Sequence, residues 1–268
     1  MEATPADFIC LECYPVCDPE SPEFQRLCEQ ARVALDRHSV LVLPDFLQPL
    51  ALDRMRKEAV GLIPLAHHMD GAATIYPERE QDDSLPADHV RRIRFHTSVR
   101  AISYLNIPLA SPLRALYEWD PLMRFVAALL GLDDIYRYDD IYGALNLAVM
   151  TAGDEFGWHF DQTDFVVSLV LQEPKAGGEF LCRHAIRSDH DDNDLAVRAA
   201  VERRDDAIAT VPMKAGTFML FKGRHALHCV TPIQGAAPRI VALLAYDTKP
   251  GTVSSPALHK VRYGVESS

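Results

Sequence analysis

Apolar residues recur at two different periods along the chain, and the change near residue 135 divides it into a helical and a β-rich part. Over residues 22–37 (PEFQRLCEQARVALDR), Phe24, Leu27, Ala31 and Leu35 fall near helical spacing and predict an amphipathic helix. SVLVLPDF (39–46) is a short apolar run stopped by Pro44, which predicts a buried strand. Residues 49–63 (PLALDRMRKEAVGLI) open on a proline and carry mixed charge on one side, the pattern of a second helix. Residues 67–92 are polar and rich in turn formers, and predict a long surface loop of the kind that often acts as a lid. Further helix is expected over 110–131, broken near Pro121.

Beyond residue 135 the runs IYRYDDIYGALNLAVM, FVVSLVLQ, EFLCRHAI, TFMLFKG and RIVALLAYD are separated by Gly, Pro and Asp. Short strands at such spacing predict a sandwich or barrel. One helical insert is expected near 190–207, around DLAVRAAVERRDDA. The expected fold class is α+β and β-dominated, with an N-terminal helical buttress on a C-terminal β core. A single domain over 1–268 is expected, mostly helical over 1–134 with its β core over 135–251.

Composition narrows the function. With 48% hydrophobic and 24% charged residues the chain reads as globular, and 268 residues suffice for a substantial core. Lys and Arg number 27 against 38 Asp and Glu, a net charge of −11, which disfavours nucleic acid as a partner. No apolar stretch approaches the roughly 20 residues that span a bilayer. The N-terminus MEATPADFICLE carries acids and no basic region before its apolar residues, so a cytoplasmic location is expected and no membrane partner. Six cysteines stand at 10, 13, 17, 28, 182 and 229. Cys10, Cys13, Cys17 and Cys28 lack the second Cys or Cys/His pair of a structural metal site and read as ordinary thiols. Monomer and homodimer are both open.

The most informative stretch is GWHFDQTDFVVSLVLQ (157–172). Alternate side chains of a strand face the same way, about 6.6 Å apart. His159 and Asp161 therefore point together, with Phe160 turned away. An imidazole and a carboxylate so placed can share one metal ion, given a third ligand. GRHALHCVTPI (223–233) offers His225 and His228, which would face opposite sides of a continuous strand. Two His and one Asp suit non-haem Fe(II), leaving three positions for a chelating co-substrate and O2. Arg239, eleven residues past His228, opens the apolar strand RIVALLAY. A guanidinium there needs a partner, and its planar fork matches a carboxylate such as the distal one of 2-oxoglutarate. Singly, an H-x-D triplet, a lone His and an Arg heading a strand are each commonplace; their conjunction and order carry the inference.

That order resembles the Fe(II)/2-oxoglutarate-dependent oxygenases, whose core is a double-stranded β-helix of jelly-roll, cupin-like type. More narrowly, GWHFDQTDFVVSLVLQEPKAGGEF, LFKGRHALHCVTPI, PRIVALLAYDTKPG and the entry strand SVLVLPDFL resemble the amino-acid radical halogenases and their hydroxylase relatives. The resemblance implies His159, Asp161 and His228 as iron ligands and Arg239 as the 2-oxoglutarate clamp, with His228 preferred to His225. Halogenating members carry Gly where this chain has Asp161, so hydroxylation of an unactivated C–H bond is implied. The co-substrate would be decarboxylated to succinate and CO2. Thr231 and Asn146 are candidate co-substrate contacts, against a turn-ending role for Thr231 and backbone satisfaction for Asn146.

Arg94 or Arg92, in the run RRIRFH (91–96), could anchor a substrate carboxylate. Trp158 and Tyr142 are candidate pocket residues, with Gln162 and Asp164 on the alternate face of an ideal strand. Relatives taking lysine hold its second ammonium with acids, and IYGALNLAV has none, which favours a neutral or acidic amino acid. SDHDDND (188–194) reads as a solvated loop rather than a lid. The rival readings are oxidation of another small metabolite or a carrier-bound aminoacyl group, and a non-catalytic metal- or ligand-sensing β-sandwich.

Overall fold

A computed structural model describes residues 3–265 apart from 78, 80 and 81. Its first half supplies α1 (Pro22–His38), β1 (Val40–Leu43), α2 (Pro49–Leu62), β2 (His67–Thr74), β3 (Arg94–Ile102), α3 (Pro112–Glu118) and α4 (Asp120–Leu130). There follow β4 (Tyr136–Arg137), β5 (Leu145–Met150), β6 (Phe156–His159), β7 (Val166–Gln172), β8 (Ala176–Gly177) and β9 (Phe180–Arg183). The remainder is α5 (Asp194–Val201), β10 (Ala209–Val211), β11 (Phe218–Phe221), β12 (Leu227–Val230), β13 (Ile233–Gln234), β14 (Arg239–Leu244), β15 (Tyr246–Asp247) and α6 (Pro256–Tyr263).

Eleven strands form one antiparallel sheet in the order β1-β11-β7-β14-β5-β3-β6-β12-β9-β10, with β2 paired to β3. The step from β3 to β6 rests on a single residue pair, Thr97 with Phe156, so the sheet folds there into two facing halves. This is the double-stranded β-helix. Strand alternation explains how its larger half is buried on both sides. Leu145, Leu147 and Val149 of β5, Val167, Leu169 and Leu171 of β7, and Ile240, Ala242 and Leu244 of β14 pack against α1 to α4. The intervening positions Met150, Met219 and Phe221 meet Phe180, Cys182 and Val230 of the smaller half. The outer face of that half is covered by α5, where Val197 and Ala200 pack with Trp158, Phe160, Leu181 and Leu227.

The helices begin and end where side chains satisfy their termini. Ser21 accepts the Phe24 N–H at 3.2 Å and Pro22 opens α1, which closes on Ser39 in the left-handed region. Gly131, at φ 71°, closes α4 the same way without a Cβ clash.

Residues 67–92 are not one loop. His67–Thr74 form β2, paired over eight residues with β3 from His67–Ala101 to Thr74–Arg94. HHMDGAAT shows no alternation because β2 is an edge strand with most side chains exposed. Positions 78, 80 and 81 of the expected loop lie outside the described residues. β3, read from sequence only as a basic run, joins the two halves of the sheet, so the helical part of the chain contributes three strands. The insert helix is confined to Asp194–Val201, and α6 was not anticipated. All six cysteines are free, with the Cys10 and Cys13 sulfurs 2.7 Å apart. Among the described residues no helix is long and apolar enough to cross a membrane.

Asp140 ties α6 to the start of β5. Its buried carboxylate accepts N–H groups of Tyr142, Gly143 and Ser254 and faces His259 Nε2 at 2.9 Å. Burial alone would raise its pKa, but the His259 bond and the backbone donors outweigh it and hold the carboxyl well below its ordinary value. A depressed folded pKa stabilises above the unfolded value and stops stabilising as pH falls through the folded one. Asp140→Asn is therefore expected to cost about 3 kcal/mol in urea unfolding at neutral pH. The difference from wild type should shrink only in strong acid; a difference that widens on acidification would contradict the assignment.

Candidate metal centre

His159 ends β6 and stands directly opposite His228 of β12, the two rings 4.0 Å apart. Both point into the space between the halves of the sheet, while Trp158 and Phe160 pack on the far side with α5. Each Nδ1–H donates to a carbonyl two residues back, His159 to Gly157 at 2.8 Å and His228 to Ala226 at 3.0 Å. A carbonyl only accepts, so Nδ1 carries the proton and each Nε2 lone pair is free. Asp161, two residues past His159, brings Oδ1 to 3.8 Å from His159 Nε2 and 3.5 Å from His228 Nε2. One donor atom from each of the three side chains lies within 4.8 Å of the others.

The donor set fits a metal ion. Asp161 Oδ2 is buried without a hydrogen-bond partner, an arrangement that is costly unless a cation satisfies the carboxylate. Burial and then the neighbouring His228 push His159 down to about 3, so it is a neutral imidazole at physiological pH, the form that can ligate a metal. For Asp161 burial acts upward, but the two neighbouring imidazoles, His228 above all, outweigh it and hold the carboxyl below its ordinary value. Two imidazoles and one carboxylate are the donors that suit Fe(II). Phe180 and Phe221 flank His228 at 5.4 and 4.7 Å, so its ring has little freedom to turn. Asp161 is accommodated by Gly223, whose carbonyl accepts the Asp161 N–H at 3.1 Å. A Cβ on Gly223 would stand 1.7 Å from Asp161 Oδ2.

A cavity of about 840 Å3 reaches His159 and Asp161 and is also lined by Asn146, Trp158, Gln162, Asp164 and Arg262. His228 and Arg239 lie deeper, 4% and 6% exposed. Arg239 shares the inward face of β14 with Val241 and Leu243, since Ile240 and Ala242 face the helices. Among the described residues it has no hydrogen bond and no ion pair, and burial alone pulls its pKa to about 10, so it is charged at neutral pH. Asn146 is inward on β5, accepting from Arg262 Nη2 at 3.3 Å. Ser168 was not singled out from sequence: its hydroxyl is buried and unpartnered on the inward face of β7. The one usable signal was its place as the polar residue within FVVSLVLQ. Arg262 was also missed, because nothing in the sequence brings α6 to this cavity.

Other sequence candidates are placed elsewhere. Arg94 is exposed, bonds the Ala72 carbonyl and is not itself part of the cavity lining, unlike its neighbours Phe95 and Thr97. Arg92 is spent on the Leu85 carbonyl and on Asp83 at 3.2 Å. Tyr142 meets His259 edge-on and stacks on Tyr263 of α6, and is itself outside the lining. Thr231 closes a turn, its hydroxyl accepting the Glu179 N–H at 2.9 Å and its N–H donating to the Glu179 carbonyl. His225 points outward to Asp189 at 3.0 Å. Asp164 reaches the cavity rim paired with Arg224. The acids of 188–194 are not simply solvated. Asp192 pairs with Arg79 and Asp194 with Arg91, tying this segment to the one that follows β2. Beneath them Tyr76 stacks on Phe160, and the Arg187 guanidinium lies 3.9 Å from the Phe160 ring centroid.

Comparison with known proteins agrees with this geometry. A sequence model of the family described as Halogenase D matches residues 24–263, nearly the whole chain. The chain belongs to the Halogenase D family. That family lies within the Fe(II)/2-oxoglutarate oxygenases, with iron and 2-oxoglutarate as cofactors. Three solved structures share the fold of this Halogenase D member. EctD from S. alaskensis is 20% identical with a TM-score of 0.54, the match covering 90% of this chain and 81% of that one. An oxidoreductase of the 2OG-Fe(II) oxygenase family from Burkholderia pseudomallei is 15% identical at TM-score 0.52, covering 84% and 92%. SnoN, a non-haem α-ketoglutarate-dependent epimerase of nogalamycin biosynthesis, is 12% identical at TM-score 0.56, covering 83% and 81%. No curated protein sequence matches the chain.

Gly223→Ala is expected to displace Asp161 and weaken Fe(II) binding by about 10- to 100-fold, with some loss of melting temperature because the same Cβ would stand 2.8 Å from the buried Phe221 ring. Anaerobic Fe(II) titration by calorimetry checks this. An unaltered affinity would show that Asp161 does not need its present position to bind metal.

Proposed function

We propose that the protein is an Fe(II)- and 2-oxoglutarate-dependent hydroxylase of an unactivated C–H bond in a free amino acid. His159, Asp161 and His228 hold the iron. Arg239 holds the distal carboxylate of 2-oxoglutarate. The observation that carries the reaction type is Asp161, a carboxylate beside both imidazoles where the halogenating relatives carry Gly. A halide would need the position that this side chain occupies.

Bound Fe(II) would supply O2 activation coupled to the decarboxylation of 2-oxoglutarate to succinate and CO2. The protein's own contribution is placement and exclusion of water. The Gly157 and Ala226 carbonyls fix the two imidazoles in the ligating tautomer, and Gly223 leaves room for Asp161. Within the interior, Arg239 and the Ser168 hydroxyl are polar groups without a protein partner among the described residues, as expected of groups reserved for a dianionic co-substrate. The cavity is of a size that takes a small molecule. The free amino acid is supported by the sequence blocks shared with the amino-acid halogenases and hydroxylases.

Halogenation is the second reading, favoured by the description of the matching family. Mass spectrometry of amino-acid reactions run with chloride and bromide present separates the two. Gain of one oxygen, with succinate formed, supports hydroxylation; gain of halogen overturns it. Asp161→Ala should leave no more than a few per cent of product formation. Arg239→Leu should raise the 2-oxoglutarate concentration required by at least about tenfold, since stranding one partner of a buried charge pair costs several kcal/mol. An unchanged requirement would remove Arg239 from the co-substrate site.

A further inference from the structure

We propose that Arg262 binds a carboxylate of the substrate and so makes this oxygenase site select anionic or zwitterionic molecules. The inference rests on the small-molecule hydroxylase reading above and names the group that would recognise its substrate.

Arg262 lies in the last turn of α6 and lines the same cavity as Trp158, His159, Asp161 and Asn146. It is within electrostatic reach of both His159 and Asp161. Its surroundings differ from those of the other arginines near the site. Arg79, Arg91, Arg92 and Arg224 each face an aspartate. Arg262 has no ion pair among the described residues, and its single hydrogen bond, to Asn146 Oδ1, is 3.3 Å long. A guanidinium has five N–H donors in a planar fork, so most of these remain for a ligand. Apart from Arg239, which lies deeper, Arg262 is a half-buried guanidinium of this region that forms no ion pair among the described residues.

The side chain is also presented from a fixed element, as a recognition group must be. Asp140 holds His259, one turn before Arg262, at 2.9 Å. Ser255 caps the start of α6 by accepting the Leu258 N–H. At the other end Gly264, at φ 68°, packs so closely on His67 of β2 that a Cβ would stand 2.6 Å from the imidazole. The helix is therefore clamped between Asp140, in the segment before β5, and the edge strand β2. Its one cavity-facing cation is carried to the metal side of the cavity.

The test titrates the Fe(II)- and 2-oxoglutarate-loaded protein, without oxygen, with the protein amino acids and with their carboxamides. Binding is read by calorimetry for wild type, Arg262→Lys and Arg262→Leu, with melting temperatures showing that each variant is folded. The expected result is an amino acid that binds wild type and loses about a hundredfold in Arg262→Leu, with a smaller loss in Arg262→Lys. The matching carboxamide should bind wild type weakly and lose little more in Arg262→Leu. Binding of 2-oxoglutarate to the Fe(II) protein should be equal in all three. Equal amino-acid affinity in Arg262→Leu overturns the role of Arg262 and leaves the hydroxylase reading standing. A selective loss of 2-oxoglutarate binding assigns Arg262 to the co-substrate and overturns the proposal. If wild type consumes 2-oxoglutarate yet binds no amino acid, the amino-acid reading fails and this inference fails with it.

Discussion

The antiparallel pairing that sets His159 against His228 is the constraint on which the site depends. It brings two imidazoles from strands 69 residues apart to a ring separation of 4.0 Å, with their free nitrogens converging on Asp161. Because side chains alternate along a strand, the same pairing sends Trp158 and Phe160 to the opposite face, into the packing beneath α5. A slip of one residue in β6 would exchange the two sets and place aromatic rings where a metal would bind. Register and chemistry are thus one property of this part of the molecule.

Neighbouring groups then hold the donors without consuming them. Each imidazole spends its Nδ1 on a local carbonyl and keeps Nε2 free, while Gly223 supplies the space in which Asp161 sits. Upstream, the turn that delivers β6 is pinned by Asp154, which accepts from Ser98, Arg100 and Thr151. The cost of leaving Asp161 Oδ2, Ser168 and Arg239 without protein partners is borne by the surrounding apolar packing. Unpartnered polar groups that share one interior face are the physical mark of a site shaped for something else to complete it.

Much of this was legible in the sequence where local pattern and tertiary role agree. The alternation of GWHFD gave the shared face of His159 and Asp161, and the apolar strand opened by Arg239 signalled a buried cation. Legibility failed where structure is imposed from a distance. β2 carries little strand character of its own and exists because β3 pairs along its whole length. Arg94 and Arg92 looked like anchors as members of a basic run, yet one is exposed and the other is neutralised by its own loop. Arg262 gave no signal, since its place in the cavity depends on the buried contact between Asp140 and His259, 119 residues apart. For Thr231 the turn-ending alternative was open in the sequence and its hydroxyl is engaged by the Glu179 N–H, whereas Tyr142 packs on a helix that sequence could not place.

The most direct measurement is a crystal structure of the protein grown without oxygen in the presence of Fe(II), 2-oxoglutarate and bromide, with bromide located by its anomalous scattering. The account predicts iron bound by His159, Asp161 and His228, the distal carboxylate of 2-oxoglutarate on Arg239, and no bromide on the metal. Bromide on the iron with Asp161 swung away would contradict it.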